Sequence, residues 1–245
     1  MKEIDRIATS IDKSEFISRD LSWMKFNIRV LDQAKHLDRS IFEKLKFLAI
    51  TSSNLDEFFM IRIGSLYNYI DYGKERVDYS GLRETTFKKR LFEEVQKFHR
   101  DQTGHYLQKL EPEFQENGFS IAKYNDLSDS EKSRVKSYFK KTLYPMLTPM
   151  VFDSYHTFPM LMNLTLGFGV VTNENPDEKD RNKLSFIQIP TNLPRFYEIE
   201  REDHLIFIPL EEIIRAFISK LFRNINIVSV NMFRITRNGD FTLDE

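Results

Sequence analysis

The sequence predicts an α+β protein in which an all-helical bundle is followed by a head domain with a mainly antiparallel sheet. As far as about residue 117, apolar residues recur at helical spacing. Beyond Gly118, short strand-like runs separated by polar turns take over. Of the 245 residues, 41% are hydrophobic and 22 are Phe, enough for a substantial core. We therefore expect a helical domain over 1–117 and the head domain over 118–245.

The first two predicted helices carry clear start signals. In the stretch SRDLSWMKFNIRVLDQAKH, four apolar residues share one helical face: Leu21, Met24, Ile28 and Leu31. Ser18 or Asp20 is the expected N-cap of this helix. A second helix is expected to begin at Ser40, because Glu43 three residues later completes a capping box.

The stretch TSSNLDEFFMIRIGSL, residues 51–66, predicts a third helix with Asn54 as its N-cap and Glu57 reaching back to the cap. One interpretation is a capped core helix and nothing more. The other is that the polar start of the helix holds a ligand. Asp56 and Glu57 would repel a triphosphate there, so a nucleotide at Asn54 would present its base or ribose and keep its phosphates elsewhere.

A fourth, long helix is predicted from about Thr85, with Pro112 interrupting it and Gly118 ending it. A strand in FSIA follows, and Ser128 with Glu131 forms a capping box for a helix to about Leu143. Further strands are expected in MLTPMVF, NLTLGFGVV, LSFIQIP, LIFIP and NIVSVNMFRITRN, with a hairpin loop in TNENPDEKDRNK and a helix in LEEIIRAFISKLF.

Several classes of chemistry find no support in the sequence. Cysteine is absent, which excludes disulfides, thiolate metal sites and Cys nucleophiles. Gly167 and Gly169 lie within a strand, so neither a P-loop nor a dinucleotide fingerprint is present. The five histidines have no metal-binding spacing, and His156, with Asp153 nearby, is assigned no role. We predict no catalytic residue and no metal site in this chain.

Charge is nearly balanced along the chain, with 36 Lys and Arg against 37 Asp and Glu, so no field favours nucleic acid. Lys132, Lys136 and Lys140 recur at helical spacing and form a basic stripe. Such a stripe can attract a polyanion, but it is more often simply a solvated face. No signal peptide or membrane span is predicted, and we expect a cytoplasmic protein, free or peripheral to the inner membrane.

Five collinear segments together resemble the polyphosphate kinase family. RDLSWMKFNIRVLDQA resembles the opening helix of that family, and LKFLAITSSNLDEFFMIRIGSL its most characteristic N-terminal motif. LYPMLTPMVFDSYHTFPMLMNLTLGFGV, IQIPTNLPRFYEI and FIPLEEIIRAFISKLF with FRITRNGDF resemble segments of its head domain. The likeness runs from about residue 14 to the end of the chain.

This resemblance implies an ATP–polyphosphate phosphotransferase, an ATP-binding phosphoprotein that reversibly moves the terminal phosphate of ATP onto inorganic polyphosphate. It implies that a phosphohistidine and Mg²⁺ act in catalytic domains absent from this chain, and that the head domain, incomplete here, forms homo-oligomers. It also implies that Asn54 contacts the nucleotide. We expect the 245-residue stretch alone to be inactive. The alternative is a free-standing, non-catalytic binding or oligomerisation module derived from the family.

Overall fold

The structure, a computed structural model, describes residues 18–64, 84–154, 157–173 and 182–238. These residues fall into two compact units that divide between Phe114 and Gln115. The second unit ends at Ile235, and the described residues 236–238 group with the first unit. Among the described helices, none combines the length and apolar character that crossing a membrane requires.

The first two helices of the described part of the first unit have the predicted starts. Helix α1 is Arg19–Gln33, and the Ser18 hydroxyl accepts the Leu21 N–H at 3.5 Å as its N-cap. Helix α2 is Ile41–Phe58, and Ser40 with Glu43 forms the capping box in both directions. A π-helical turn, Phe59–Ile63, continues α2 without a break.

The predicted start of a third helix at Asn54 is wrong. Residues 51–54 lie within α2, so Asn54 is an interior helical residue and not an N-cap. The polar cluster resembles a cap in sequence because Ser, Thr and Asn can satisfy a helix start with their own side chains. In the folded protein Thr51, Ser52 and Asn54 pair with side chains on neighbouring helices, and the helix continues through them.

The long helix of the first unit is α3, Glu84–His105, which continues through a π-helical turn, Tyr106–Leu110, into α4, Glu111–Glu116. The π turn lies just before Pro112, where an α-helix would bring the proline ring against the carbonyl four residues earlier. Gly118 ends the segment with φ of +83° and donates its N–H to the Gln115 carbonyl, as predicted for a C-terminal glycine.

The core of the first unit joins α1, α2 and α3. Trp23 stacks on Phe58 with ring centroids 4.3 Å apart. The buried members of this cluster are Met24, Leu31, Phe58, Ile63, Leu91, Val95 and Phe98. Burial of each such side chain stabilises the fold by about 1.5–3 kcal/mol relative to exposure, so this cluster fixes how the three helices face one another.

The described residues of the second unit form two sheets. The first sheet has the order β1-β6-β5, with β1 Phe119–Ile121, β5 Phe196–Arg201 and β6 His204–Pro209. The second has the order β2-β4-β3-β7, with β2 Met150–Phe152, β3 Leu166–Asn173, β4 Lys183–Gln188 and β7 Asn226–Arg234. Only the β1–β6 pair among these described strands is parallel. The predicted α+β class with a mainly antiparallel sheet is confirmed.

Two α-helices accompany these sheets in the described part of the second unit. Helix α5 is Asp129–Tyr138, begins at the predicted Ser128–Glu131 capping box and continues through a π-helical turn, Phe139–Leu143. Helix α6 is Leu210–Phe217, followed by a 3₁₀ turn, Ile218–Leu221. The core between these helices and the sheets includes Val135, Phe139, Phe168, Val170, Ile187, Ile199, Ile206, Ile208, Ile213 and Ile214.

Strand β5 is an element that the sequence pattern did not predict. Its sequence FYEIER contains a single buried residue, Ile199, among exposed or half-buried neighbours. The apolar alternation is therefore weak. The strand forms because it pairs antiparallel with β6, from Phe196 opposite Pro209 to Arg201 opposite His204.

Candidate functional site

Asn54 lies in the last turns of α2, and its side chain is half-buried. Its amide nitrogen Nδ2 donates to Oδ1 of Asn27 on α1 at 3.1 Å. Among the described residues, no other hydrogen bond of the Asn54 side chain is found. The Asn54 Oδ1 atom therefore has no hydrogen-bond donor among the described residues.

Asn27 of α1 is fully buried and contacts both the Asn54 side chain and the backbone of α2. Its Nδ2 donates to the Thr51 carbonyl oxygen at 3.1 Å, while its Oδ1 accepts from Asn54. A buried amide is stabilising only when its polar atoms are paired. The two hydrogen bonds of Asn27 meet this requirement and tie α1 to α2 at the level of Asn54.

A second pair of contacts ties α3 to the same turn of α2. Gln102 is buried, and its Nε2 donates to Thr51 Oγ1 at 2.7 Å and to Ser52 Oγ at 2.9 Å. The Thr51 hydroxyl in turn donates to the Leu48 carbonyl oxygen at 2.6 Å. We call the side chains of Asn27, Thr51, Ser52, Asn54 and Gln102 the polar network.

Sequence reasoning missed Asn27, Thr51 and Gln102, although a signal for two of them exists. Asn27 occupies the buried stripe of α1 between Met24 and Leu31. Gln102 follows Phe98 by four residues on the buried stripe of α3. A polar residue in an otherwise apolar stripe needs a buried partner, and this feature could have identified both amides as members of a network between helices.

The charges around Asn54 alter the physical basis of the prediction about phosphates. Asn54 lies inside the continuous helix that α2 forms with its π-helical turn, and not at the positive N-terminus that was predicted. Asp56 and Glu57 follow within the same turn. The repulsion of a triphosphate therefore does not depend on a helix start, because the two carboxylates themselves disfavour anions here.

The basic stripe is less regular than the sequence predicts. Lys136 and Lys140 are exposed, whereas Lys132 is half-buried and donates to the Asn125 carbonyl oxygen at 3.2 Å. Lys140 belongs to the π-helical turn that follows α5, which has more residues per turn than an α-helix. Lys140 is consequently displaced from the line that an unbroken α-helix would give.

Histidines and carboxylates form no metal centre in the described ranges, where no group of three or more metal-ligating side chains converges. His99 contacts Gln102 at 3.2 Å, His105 contacts the Ala34 carbonyl oxygen at 3.1 Å, and His204 contacts Ser120 at 3.0 Å. These three histidines have structural contacts. His156 lies outside the described residues.

Comparisons with known proteins agree with the predicted resemblance. A family model described as the polyphosphate kinase N-terminal domain matches residues 16–122, and one described as the polyphosphate kinase middle domain matches residues 130–245. The polyphosphate kinase of Halalkalibacterium halodurans is 37% identical over 97% of this chain and 34% of that protein. The polyphosphate kinase of Bacillus cereus is 36% identical over 96% of this chain and 34% of that protein. The polyphosphate kinase of Mycolicibacterium gilvum is 34% identical over 98% of this chain and 33% of that protein.

The fold is similar to that in the crystal structure of polyphosphate kinase from Porphyromonas gingivalis. The TM-score is 0.81 at 22% identity, over 94% of this chain and 34% of that chain. At this identity the similarity concerns the fold alone. The chain spans about a third of the length of all these relatives. Since the two domain models match in order over nearly all of its residues, this chain belongs to the polyphosphate kinase family.

Proposed function

We propose that this chain is the N-terminal and head portion of an enzyme that reversibly transfers the terminal phosphate of ATP to inorganic polyphosphate. The observation that carries the proposal is the consecutive match of two polyphosphate kinase domain models to residues 16–122 and 130–245. The proposed domains are a helical domain over 1–117 and a head domain over 118–245, and the break between compact units after Phe114 supports the boundary between them. In this proposal the head domain is incomplete and the catalytic domains lie outside the chain.

The phosphate chemistry belongs to the part of the enzyme outside this chain. A histidine there would accept the γ-phosphoryl group as ADP leaves, and would then pass it to the end of a polyphosphate chain. Mg²⁺ would offset the charge of the phosphates. The described residues do not fit a metal site, because no three ligating side chains converge among them. We therefore assign no metal-dependent step to this chain.

The contribution of this chain would be to hold the nucleoside end of ATP at Asn54. The half-buried amide offers a hydrogen-bonding group beside an otherwise packed helix pair. Asp56 and Glu57 disfavour phosphate at this position, so the base or ribose would face α2 while the triphosphate extends elsewhere. Amide side chains are well suited to read a base edge because they can donate and accept at once.

Polyphosphate and a second copy of the chain are the other proposed partners. Lys136 and Lys140 are exposed and could attract a polyanion together with Lys132. The head domain would form the homo-oligomer, which light scattering coupled to gel filtration would detect. We propose a cytoplasmic location. Replacement of the three lysines by Gln should weaken the binding of polyphosphate at low salt and reduce its salt dependence.

The decisive experiment compares the full-length gene product with the 245-residue chain in a polyphosphate synthesis assay with ATP and Mg²⁺. We expect synthesis by the former and none by the latter. Synthesis by the 245-residue chain would show that the catalytic machinery is inside it. A reading frame that stops after residue 245 would instead support the alternative of a non-catalytic binding or oligomerisation module.

The role of Asn54 is tested by Asn54→Ala in the full-length gene product. Loss of one neutral hydrogen bond to the nucleotide should weaken ATP binding by roughly two- to ten-fold. Ser53→Ala is the matched control, because Ser53 is the exposed neighbour of Asn54 on the same helix. We expect the Ser53→Ala variant to bind ATP as tightly as the wild type does. Unchanged affinity in folded Asn54→Ala would refute the nucleotide contact.

A further inference from the structure

A backbone carbonyl oxygen fixes the orientation of the side-chain amides in the polar network. The Thr51 carbonyl oxygen can only accept, so the group of Asn27 that faces it at 3.1 Å must be the amide nitrogen Nδ2. The other side of the Asn27 amide is therefore Oδ1, which again can only accept. Because Asn27 is fully buried, a flipped amide would leave two buried acceptors facing each other.

The orientation of Asn27 in turn sets that of Asn54. Asn27 Oδ1 needs a donor, and Asn54 supplies it with Nδ2 at 3.1 Å. The Asn54 amide is thus turned with its nitrogen toward α1. Its carbonyl oxygen Oδ1 is left as the acceptor that an incoming molecule would meet, and no donor among the described residues reaches that oxygen.

We infer that Asn27 is a positioning and specificity-determining residue, which locks the Asn54 amide so that it presents Oδ1 to the base of a bound nucleotide. This inference rests on the proposed contact between Asn54 and the nucleotide. An acceptor at this position matches the exocyclic amino group of adenine, and the second N–H of Asn54 can donate to a ring nitrogen on the same edge. Guanine carries a carbonyl oxygen where adenine carries the amino group, so an orientation-locked Asn54 disfavours it.

Gln102 stabilises the same helical turn but does not set this orientation. Its Nε2 contacts the hydroxyl groups of Thr51 and Ser52, whereas Asn27 uses the backbone carbonyl of Thr51. The two connections can therefore be separated by mutation. Asn27→Leu removes the orienting group with little change in shape, and Thr51→Val removes a Gln102 contact while it keeps the carbonyl that Asn27 needs.

The first measurement is the exchange of the Asn54 side-chain NH₂ protons with water, followed by NMR in the 245-residue chain. In Asn27→Leu the exchange should accelerate by about five-fold or more, because the amide loses its acceptor. Thr51→Val should leave it unchanged. Unaltered exchange in folded Asn27→Leu would overturn the orienting role without reference to any nucleotide.

The second measurement is the ratio of dissociation constants for ATP and GTP in the full-length gene product. Asn27→Leu should reduce the preference for ATP by roughly ten-fold, whereas Thr51→Val should retain it even if its melting temperature falls. If Asn54→Ala loses ATP affinity but Asn27→Leu keeps the wild-type ratio, the inference about Asn27 is wrong and the proposed function stands. If Asn54→Ala binds both nucleotides as the wild type does, the contact between Asn54 and the nucleotide is refuted, and so is the role of Asn27 in the preference for ATP.

Discussion

The ion pair between Glu131 and Arg201 should make the stability of the second unit depend on acid pH. Arg201 Nε donates to Glu131 Oε1 at 2.8 Å and Arg201 Nη2 donates to Oε2 at 2.9 Å, a bidentate arrangement. The Ser128 N–H donates to the same carboxylate at 2.8 Å. The Arg201 hydrogen bond, followed by that from Ser128, lowers the pKa of Glu131 from 4.5 to about 2.

The size of the effect follows from this pKa. At about 1.4 kcal/mol per pH unit, a drop from 4.5 to about 2 sets an upper limit of roughly 3.5 kcal/mol. The Arg201 side chain is 45% exposed, and water screens the pair, so we expect about 1–2 kcal/mol. Because the pKa is lowered on folding, this contribution is fully present above about pH 4.5 and is lost as the pH falls toward 2.

The test is urea denaturation of the wild type and Glu131→Gln at pH 7 and pH 3, followed by circular dichroism. Gln can complete a capping box as Glu does, so this variant removes the charge and largely keeps the cap. The free energy of unfolding should differ by about 1–2 kcal/mol at pH 7 and by clearly less at pH 3. Glu198→Gln on β5, an exposed carboxylate, is the control. A difference that is equal at the two pH values would refute the assignment to the ion pair.

Two further predictions concern packing and a buried charge. A Cβ at Gly167 would lie 3.0 Å from the Ile187 carbonyl oxygen and 3.3 Å from the Phe233 ring, so Gly167→Ala should lower the free energy of unfolding by about 1–3 kcal/mol. Gly104→Ala in α3, where the Cβ meets nothing within 4 Å, should instead raise it by about 0.5–1 kcal/mol, and equal losses at both positions would contradict this reasoning. Glu113→Ala should cost about 2–4 kcal/mol in chemical denaturation, because the Lys44 side chain is 8% exposed and its ammonium nitrogen lies 2.8 Å from Glu113 Oε1. The double variant Lys44→Met with Glu113→Ala should regain much of that loss, and a double variant as unstable as the single one would argue against a buried unpaired charge.

The elements that the sequence predicts well are those with local signals. The starts at Ser18, Ser40 and Ser128 depend on side chains that bond to backbone groups three residues away. The C-terminal stop at Gly118 depends on the backbone freedom of a single residue. The family assignment likewise depends on the order of sequence motifs along the chain, and the comparisons support it over nearly all residues.

The elements that the sequence predicts poorly depend on partners far along the chain. Strand β5 has a weak apolar alternation and exists because β6 pairs with it. The cluster of residues 51–54 has the composition of a helix cap, but Asn27 and Gln102 satisfy its polar groups from 27 and 51 residues away. Local propensity therefore indicated a helix start, and tertiary hydrogen bonding favoured a continuous helix.

By itself, the sequence determined the fold class, most helix starts, the family and the choice of Asn54 as the residue to test. Only the tertiary structure decided that Asn54 is an interior helical residue, which way its amide turns, and that a buried Asn27 holds it. The physical reason is the range of the interactions. Caps and periodicity are set by neighbours within one or two turns, whereas the pairing of buried amides depends on helices that meet only after the chain has folded.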